Sequence, residues 1–190
     1  VHALALDGGI IYVGGEFENI DGAARNGVAA FDGGANAVDP LWDPDVTLAG
    51  GAGGTVYAIE VDANRVYLGG DFVKVGTTAK PRFVAVDKAD GVNTGAIDTT
   101  FAPVGSPSAR VNAIACFYDQ ILVGGAFANF GTLLNESLVR LNSDGSFDTV
   151  FTPIAYKASQ PILSVNVHGD TVVVGGEFEG GSDLDRVHYL

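Results

Sequence analysis

The sequence predicts an all-β protein built from internal repeats, and three observations lead to this fold class. The composition, with 27 glycines and only 17% charged residues among 190, suits many short strands joined by tight turns. A Gly-Gly-x-Phe pattern recurs, with its first glycine at Gly14, Gly69, Gly124 and Gly175. An apolar residue stands 13 positions before each of these glycines, at Val1, Val56, Val111 and Ile162. Two anchors that keep a constant separation indicate a repeat array.

The spacing of the anchors divides the chain into repeats of similar length. The steps between successive first glycines are 55, 55 and 51 residues. We therefore expect one domain over residues 1–190, with repeats at 1–55, 56–110, 111–161 and an incomplete repeat at 162–190. Because residues 187–190 would only begin the third strand of the last repeat, we expect the protein to continue into, or pack against, further chain.

The elements of repeat one follow in a simple order. Residues 1–6 and 10–13 are β-prone and flank a glycine-rich turn at residues 7–9, which predicts a hairpin. A third β-prone run occupies residues 28–31. A fourth, shorter element carries an aromatic residue, Trp42 in this repeat. Each complete repeat is thus predicted to form a four-stranded antiparallel sheet.

A single sheet of this size exposes two apolar faces, so neighbouring repeats must stack face to face to bury a core. Radial stacking of four-stranded antiparallel sheets produces a β-propeller. The sequence therefore predicts an open or partial β-propeller with about three and a half blades present. Recurring aromatic side chains should be buried between blades, namely Phe17, Phe72, Phe127 and Phe178 after the glycine pairs, and Trp42, Phe101 and Phe151 in the fourth elements.

Two segments resemble a known repeat. Residues 141–151 read Leu-Asn-Ser-Asp-Gly-Ser-Phe-Asp-Thr-Val-Phe, and residues 97–101 read Ile-Asp-Thr-Thr-Phe. Both are similar to the end of the delta-60 repeat, a kelch-like β-propeller repeat of large bacterial surface and secreted proteins. Repeat one departs from this motif and has Asp39-Pro-Leu-Trp42 instead. The resemblance implies a propeller in an extracellular or cell-surface protein, and it implies little about activity because propellers host many functions.

The chain is strongly acidic, since 10 Lys and Arg residues against 23 Asp and Glu residues give a net charge of -13. This charge repels nucleic-acid phosphates and anionic lipid surfaces, so neither is an expected partner. No apolar run is long enough for a transmembrane helix, and we expect no membrane insertion. The single cysteine, Cys116, lies in an apolar strand and is expected to be a buried thiol that forms no disulfide.

One face of the predicted propeller is the candidate ligand site. In such folds, the loops that enter the innermost strands and the loops between strands two and three open on the same face. His2, Tyr57 and Asn112 occupy equivalent positions there in successive repeats, and Arg25 and Arg82 lie in the adjoining loops. A position that changes from His to Tyr to Asn in a regular repeat is what a ligand-specialised face would show. An unconstrained exposed position would show the same change.

The sequence offers little support for metal binding or catalysis. Acidic groups such as Glu16, Glu18 and Asp21 lack the spacing of an EF-hand, and Asp-Gly pairs are explained by turn geometry, although calcium stays open as an alternative. The three histidines lack zinc-site spacing, so we expect no metal ligands among them. A Gly-x-Ser-x-Gly elbow and a His-Glu-x-x-His motif are both missing from the sequence.

These observations favour a non-enzymatic binding or structural module of a secreted or cell-surface protein, with a protein or glycan as partner at the open propeller face. Two alternatives remain. The first is an enzyme that acts on polysaccharides with carboxylates on that face, because paired carboxylates are the usual catalysts of glycoside hydrolysis. The second is a subunit of a surface filament or appendage, completed by neighbouring chains.

Overall fold

The computed structural model describes residues 1–134, 137–151 and 160–177, together with the backbone of residues 186–188. The secondary-structure elements in these ranges are all β-strands, as the sequence predicts. The chain forms two compact units, Val1–Thr99 and Thr100–Leu190, and the boundary falls near the end of repeat two, after its strands. The expected burial of Phe178 concerns a residue outside the described ranges.

The first unit contains the strands of repeats one and two. Those of repeat one are β1 (Ala3–Asp7), β2 (Ile10–Gly14), β3 (Asn19–Ile20), β4 (Ala23–Ala24), β5 (Val28–Asp32), β6 (Ala37–Val38) and β7 (Val46–Thr47). Those of repeat two are β8 (Thr55–Val61), β9 (Arg65–Asp71), β10 (Lys74–Val75), β11 (Thr78–Ala79) and β12 (Phe83–Asp87).

The second unit contains the strands of repeats three and four. Those of repeat three are β13 (Val111–Phe117), β14 (Gln120–Gly125), β15 (Asn129–Phe130), β16 (Leu133–Leu134) and β17 (Leu138–Leu141). Those of repeat four are β18 (Ile162–His168), β19 (Thr171–Gly176) and β20 (Arg186–His188). Strand β20 confirms that the last residues begin a third strand. Each repeat is called a blade from here on.

Every blade contains an antiparallel meander of three strands, which confirms the predicted order. The sheets run β1-β2-β5-β6, β8-β9-β12, β13-β14-β17 and β18-β19-β20. The second strand is central and ends at the glycine pair, so that Gly14 lies between Ala3 and Val28. Gly69 and Gly124 oppose the third strand in the same way, at Phe83 and Leu138. The repeats therefore share one register.

The fourth strand is shorter than predicted, and it ends before the aromatic residue that was expected to lie in it, which is Trp42, Phe101 or Phe151. It has two residues in blade one, as β6, and is a single bridge in the next two blades, Val86 with Ile97 and Leu141 with Phe147. The chain nevertheless turns at the same place in all three blades. The amide of the aspartate that follows this strand donates to a carbonyl of the third strand, with the bonds Asp39 N to Ala30 O (2.8 Å), Asp98 N to Ala85 O (3.0 Å) and Asp148 N to Arg140 O (3.0 Å). Repeat one thus departs from the motif in sequence but keeps its backbone register.

A small hairpin between the second and third strands is a feature that the sequence reading did not predict. Strands β3 and β4, β10 and β11, and β15 and β16 form it in blades one, two and three. The first residue of each turn is left-handed, with φ of 51° at Asp21, 53° at Gly76 and 55° at Gly131, which suits the twist of a tight hairpin. In blade two the hairpin also pairs with β7, which lies in the segment entering that blade.

Most of the predicted aromatic core is confirmed. Five of the predicted side chains are buried, namely Phe72, Phe127, Trp42, Phe101 and Phe151. Phe17, by contrast, is only half-buried. Phe72 is covered by the segment that enters its blade, because a Cβ built on Gly54 would lie 2.6 Å from the Phe72 Cβ. Cys116 is also half-buried rather than buried, like Val61 and Val167 at the same position of their strands, because this position lies beside the hairpin turn.

Candidate functional site

The innermost strands of blades one and two bring two candidate residues into contact. The rings of His2 and Tyr57 have centroids 5.0 Å apart and planes inclined by 39°. The backbone places them there, because His2 N donates to Gly14 O (2.8 Å) and Val56 N donates to Gly15 O (3.0 Å). The glycine pair of blade one therefore joins the two strands. His2 is exposed and Tyr57 is half-buried, so both rings present a surface to solvent.

Two acidic residues adjoin the strands that carry these rings. Glu16 directly follows Gly15, and Asp71 closes β9 opposite Thr55, two residues before Tyr57. Both acidic residues are exposed. The sequence signal for them is the position after the glycine pair, which holds Glu16, Asp71, Ala126 and Glu177 in the four repeats. We call the surface formed by His2, Glu16, Tyr57 and Asp71 the aromatic-acidic patch.

Arg82, which the sequence predicts in an adjoining loop, has an unusual backbone conformation. Its φ is 69°, and its amide and carbonyl bond to Phe72 O and Gly70 N, both at 3.0 Å. Gly27 holds the same position in blade one with a φ of 70°. A left-handed conformation costs a non-glycine residue about 1–2 kcal/mol, and such strain is often stored at functional sites. The Arg82 side chain itself is half-buried.

Arg25, another predicted site residue, holds a loop together. Its guanidinium donates to Ala24 O (2.8 Å), Asp39 O (2.9 Å) and Pro40 O (3.2 Å). It also lies 3.4 Å from Asp43 Oδ2, and its side chain is only 10% exposed. Burial raises the pKa of Asp43, and the Arg25 charge opposes that shift. The contacts of Arg25 join the hairpin of blade one to the segment that contains Trp42.

Asn112 lies in the second unit, where it joins two blades. Its side-chain amide donates to Ile162 O at 2.8 Å, which links the innermost strand of blade three to that of blade four. The donor is thus engaged in a backbone contact. Leu163 holds the equivalent position in blade four and is 45% exposed. The structure therefore brings His2 and Tyr57 together and gives Asn112 a role in blade packing.

The cavities in the described part of the chain include two shallow ones, one in each unit. One has a volume of about 240 Å³ and is lined by residues that include Val38, Pro40 and Leu41. The other has a volume of about 160 Å³ and is lined by residues that include Leu133, Phe147 and Phe151. Both are smaller than the roughly 300–1,000 Å³ of typical small-molecule sites. Neither is lined by a residue of the aromatic-acidic patch, which is an open surface.

The described part of the chain contains no group of three or more His, Cys, Asp or Glu side chains arranged to hold a metal ion. The same residues contain no helix with the length and hydropathy needed to cross a membrane.

A β-propeller family of unknown function, DUF5122, matches residues 119–151, which run from the second strand of repeat three through its third strand to the turn that contains Asp148. No curated protein matches the sequence. The family match covers the same segment that carries the Asp-Gly-Ser-Phe-Asp motif.

Solved structures extend the likeness to almost the whole chain. The designed protein Ika4 shares 14% identity at a TM-score of 0.59 and is matched over 99% of this chain and 89% of its own. The designed protein Ika8 shares 15% identity at a TM-score of 0.56, over 92% of this chain and 42% of its own. The extracellular domain of a protein described as a one-component system of B. thetaiotaomicron shares 17% identity at a TM-score of 0.52, over 98% of this chain and 21% of its own. With the family match, these likenesses show a β-propeller fold.

Proposed function

We propose that this chain is a non-catalytic recognition module of a secreted or cell-surface protein and that it binds neutral glycans at the aromatic-acidic patch. The observation that carries the proposal is the contact between the His2 and Tyr57 rings, 5.0 Å apart on an exposed surface of two adjoining blades. The structural likeness to an extracellular domain supports the location. The resemblance to delta-60 repeats of surface proteins supports it as well.

The chemistry of the patch suits a sugar. The apolar C–H face of a pyranose ring packs on aromatic side chains, whose faces carry negative charge density. The carboxylates of Glu16 and Asp71 accept hydrogen bonds from sugar hydroxyls, which anchor the orientation of the ring. A net charge of -13 repels uronates and sulfated sugars, so the ligand class is neutral or amino sugars.

The openness of the patch favours binding over hydrolysis. Glycosidases hold the sugar between two carboxyl groups, one on either side of the scissile bond, and place the attacking water between them and the sugar. Glu16 and Asp71 are instead exposed, and neither lines the cavity of about 240 Å³ or the cavity of about 160 Å³ described above. A site of this kind holds a glycan without closing around the bond that an enzyme would cleave.

The proposal is tested by screening the chain against immobilised neutral oligosaccharides and measuring the affinity of each hit by calorimetry. Tyr57→Ala should weaken binding by about tenfold or more, because an aromatic contact contributes on the order of 1 kcal/mol beyond its buried area. Tyr118→Ala is the matched control, since Tyr118 is 81% exposed and lies at a hairpin turn of blade three. Equal affinity of Tyr57→Ala and the unaltered protein would refute the site, and release of reducing sugar ends would refute the non-catalytic assignment.

A further inference from the structure

The cavity of about 240 Å³ in the first unit lies along the outer strand of blade one. This strand, β6, is the last one in the sheet β1-β2-β5-β6. Because Asp39 N donates to Ala30 O, the alternation of an antiparallel pair turns the backbone groups of Val38 away from β5. Backbone groups on a sheet edge can pair with an added extended chain. We call β6 and this cavity the blade-one groove.

The groove has apolar walls that the repeat does not require. Val38, Pro40 and Leu41 line it, and Leu41 is 48% exposed. The turn that contains Pro40 and Leu41 reads Asp-Pro-Leu-Trp, whereas blades two and three have Asp-Thr-Thr-Phe and Asp-Thr-Val-Phe. The first aspartate amide of this turn makes the same bond to the third strand in all three blades. The backbone register therefore does not depend on the Pro-Leu pair, and exposed apolar groups of this kind are typical of an interaction surface.

A loop of blade two contributes a further wall of the groove, at Gly91. Two hydrogen bonds hold this loop against blade one. Trp42 Nε1 donates to Asp87 O at 2.7 Å, and Asp43 N donates to Thr94 O at 2.9 Å. Because these bonds fix the walls relative to each other, the groove is formed before a partner arrives, and binding requires little ordering of this chain.

The size of the cavity suits a single side chain. Its volume of about 240 Å³ is below that of typical small-molecule sites. An apolar cavity of about 150 Å³ is nevertheless large enough to bind benzene in another protein. The cavity can therefore accept one aliphatic or aromatic side chain of a peptide, while the rest of the peptide lies outside it along β6.

The surroundings of the groove carry a surplus of negative charge. Asp32 lines the cavity and Asp90 directly precedes Gly91, and both aspartates are exposed. Arg25 is close to the same wall, but its side chain is only 10% exposed and is paired with Asp43. A rim of this charge attracts a basic segment and repels an acidic one.

We propose that the blade-one groove binds an extended basic segment of a partner protein, which places one aliphatic or aromatic side chain in the cavity. That side chain contacts Val38 and Leu41, and Lys or Arg residues on either side of it lie near Asp32 and Asp90. The apolar walls select the anchoring side chain, and the acidic rim selects the charge of its neighbours. The groove shares no residue with the aromatic-acidic patch, so this proposal does not depend on glycan binding.

The experiment measures the binding of fluorescein-labelled peptides to the 190-residue chain by fluorescence anisotropy. Each peptide carries one Val, Leu or Phe between two pairs of lysines. The tightest of them should bind about tenfold or more tightly than the same peptide with serine at the centre, because the apolar side chain leaves water. A peptide with glutamates in place of the lysines should not bind in the same concentration range, and added salt should weaken the lysine peptides.

Variants of the chain test the two parts of the groove separately. Leu41→Lys should weaken binding of the tightest peptide by about tenfold or more, because it removes an apolar wall and adds a repelling charge. Leu134→Lys is the matched control, since it makes the same change at a 66% exposed leucine outside the groove. The double variant Asp32→Asn, Asp90→Asn keeps the side-chain oxygens that cap both turns. It should weaken binding by about threefold and reduce its salt dependence.

Amide chemical shifts of the unaltered protein locate the bound peptide without any substitution. The amides of Val38, Leu41 and Gly91 should shift on addition of the tightest peptide, and the amide of Tyr57 should not. Thermal unfolding confirms that each variant is folded before its affinity is compared. The proposal is overturned if no apolar peptide binds, if the serine peptide binds equally well, if Leu41→Lys and Leu134→Lys have equal affinities, or if the shifts lie outside the groove.

Discussion

The turn after the third strand is built twice with the same backbone and with different side chains, once in blade one and once in blade three. In both, an aspartate amide donates to the third strand, and its Oδ1 accepts an amide two residues later, at 2.8 Å from Leu41 N for Asp39 and at 2.9 Å from Val150 N for Asp148. In both, an aromatic side chain three residues after the aspartate is buried.

The two turns differ in how the aromatic residue is held. In blade one, Trp42 Nε1 donates to Asp87 O at 2.7 Å, and the indole meets the ring of Tyr12 edge-on at 5.1 Å. In blade three, Arg140 lies 2.6 Å from Asp148 Oδ2 and 4.7 Å above the ring of Phe151. The aspartate thus fixes the course of the backbone in both turns. The aromatic residue is held by different contacts in each blade.

Truncation of Trp42 should have the largest effect. Trp42→Ala removes a fully buried indole and its hydrogen bond to the Asp87 carbonyl, so we expect a loss of about 3–5 kcal/mol in the free energy of unfolding. Trp42→Phe keeps most of the volume and should lose much less. Urea denaturation measures both. Similar losses for the two variants would show that burial of the ring is not what stabilises this turn.

Breaking the ion pair in blade three should have a smaller effect. Arg140→Met leaves the Asp148 carboxylate, whose side chain is 11% exposed, without its cation, and we expect a loss of roughly 2 kcal/mol, as for other hydrogen bonds to a charged group. The double variant Arg140→Met, Asp148→Asn removes both charges and should recover part of that loss. A double variant less stable than the single one would contradict an electrostatic role for the pair.

Acid should act on the two regions in opposite directions. Burial works to raise the pKa of Asp148, but bonds from Val150 N, Arg140 and Gln120 outweigh it and lower that pKa below its ordinary 3.8. Asp148 therefore contributes to the stability of the folded protein above pH 3.8, and this contribution is lost as pH falls through the lowered pKa. Burial raises the pKa of Asp43, so the ionised Asp43 destabilises the folded protein above that pKa. This destabilisation is relieved as pH falls from the raised pKa toward 3.8.

Stability curves of two variants separate these contributions. Between about pH 5 and about pH 2, Asp148→Asn should lose less stability than the unaltered protein. Asp43→Asn should instead remove the small gain in stability that the unaltered protein shows as pH falls toward 3.8. Parallel curves for Asp148→Asn and the unaltered protein would contradict the lowered pKa.

The smallest expected change concerns the left-handed residue after the hairpin, which is Arg82 in blade two and Gly27 in blade one. Arg82→Gly relieves the strain at a φ of 69°, partly offset by the entropy that glycine loses on folding, so stability should rise by up to about 1 kcal/mol. If Arg82 belongs to the aromatic-acidic patch, glycan affinity should fall in the same variant. A drop in stability would show that the side chain matters more to the fold than to a ligand.

The sequence predicted the meanders and most of the aromatic core, because two anchors in constant register report directly on strand pairing. It did not predict the hairpin strands, since two-residue pairs such as Asn19–Ile20 and Ala23–Ala24 carry no periodic signal. The sequence also predicted that Phe17 would be buried, whereas it is half-buried. The repeat motif does not show this difference, because the residues that pack on the equivalent Phe72, near Gly54, lie outside the motif.

The candidate site was predictable only in part. Equivalent repeat positions pointed to His2 and Tyr57, whose rings are in contact. The role of Arg25 could not be read from spacing, because its acceptors at Asp39 and Pro40 reach it only when the chain folds back. Asn112 likewise finds its acceptor, Ile162 O, 50 residues away in the next repeat.

Hydrogen exchange of three backbone amides tests most directly the claim that every repeat keeps one register despite different side chains. The amides of Asp39, Asp98 and Asp148 all donate to the third strand, whereas Ala49 is an exposed loop residue. We predict that all three exchange at least about a hundredfold more slowly than Ala49 after correction for intrinsic rates. Slow exchange at Asp98 and Asp148 with fast exchange at Asp39 would show that repeat one has a different register and would contradict the account.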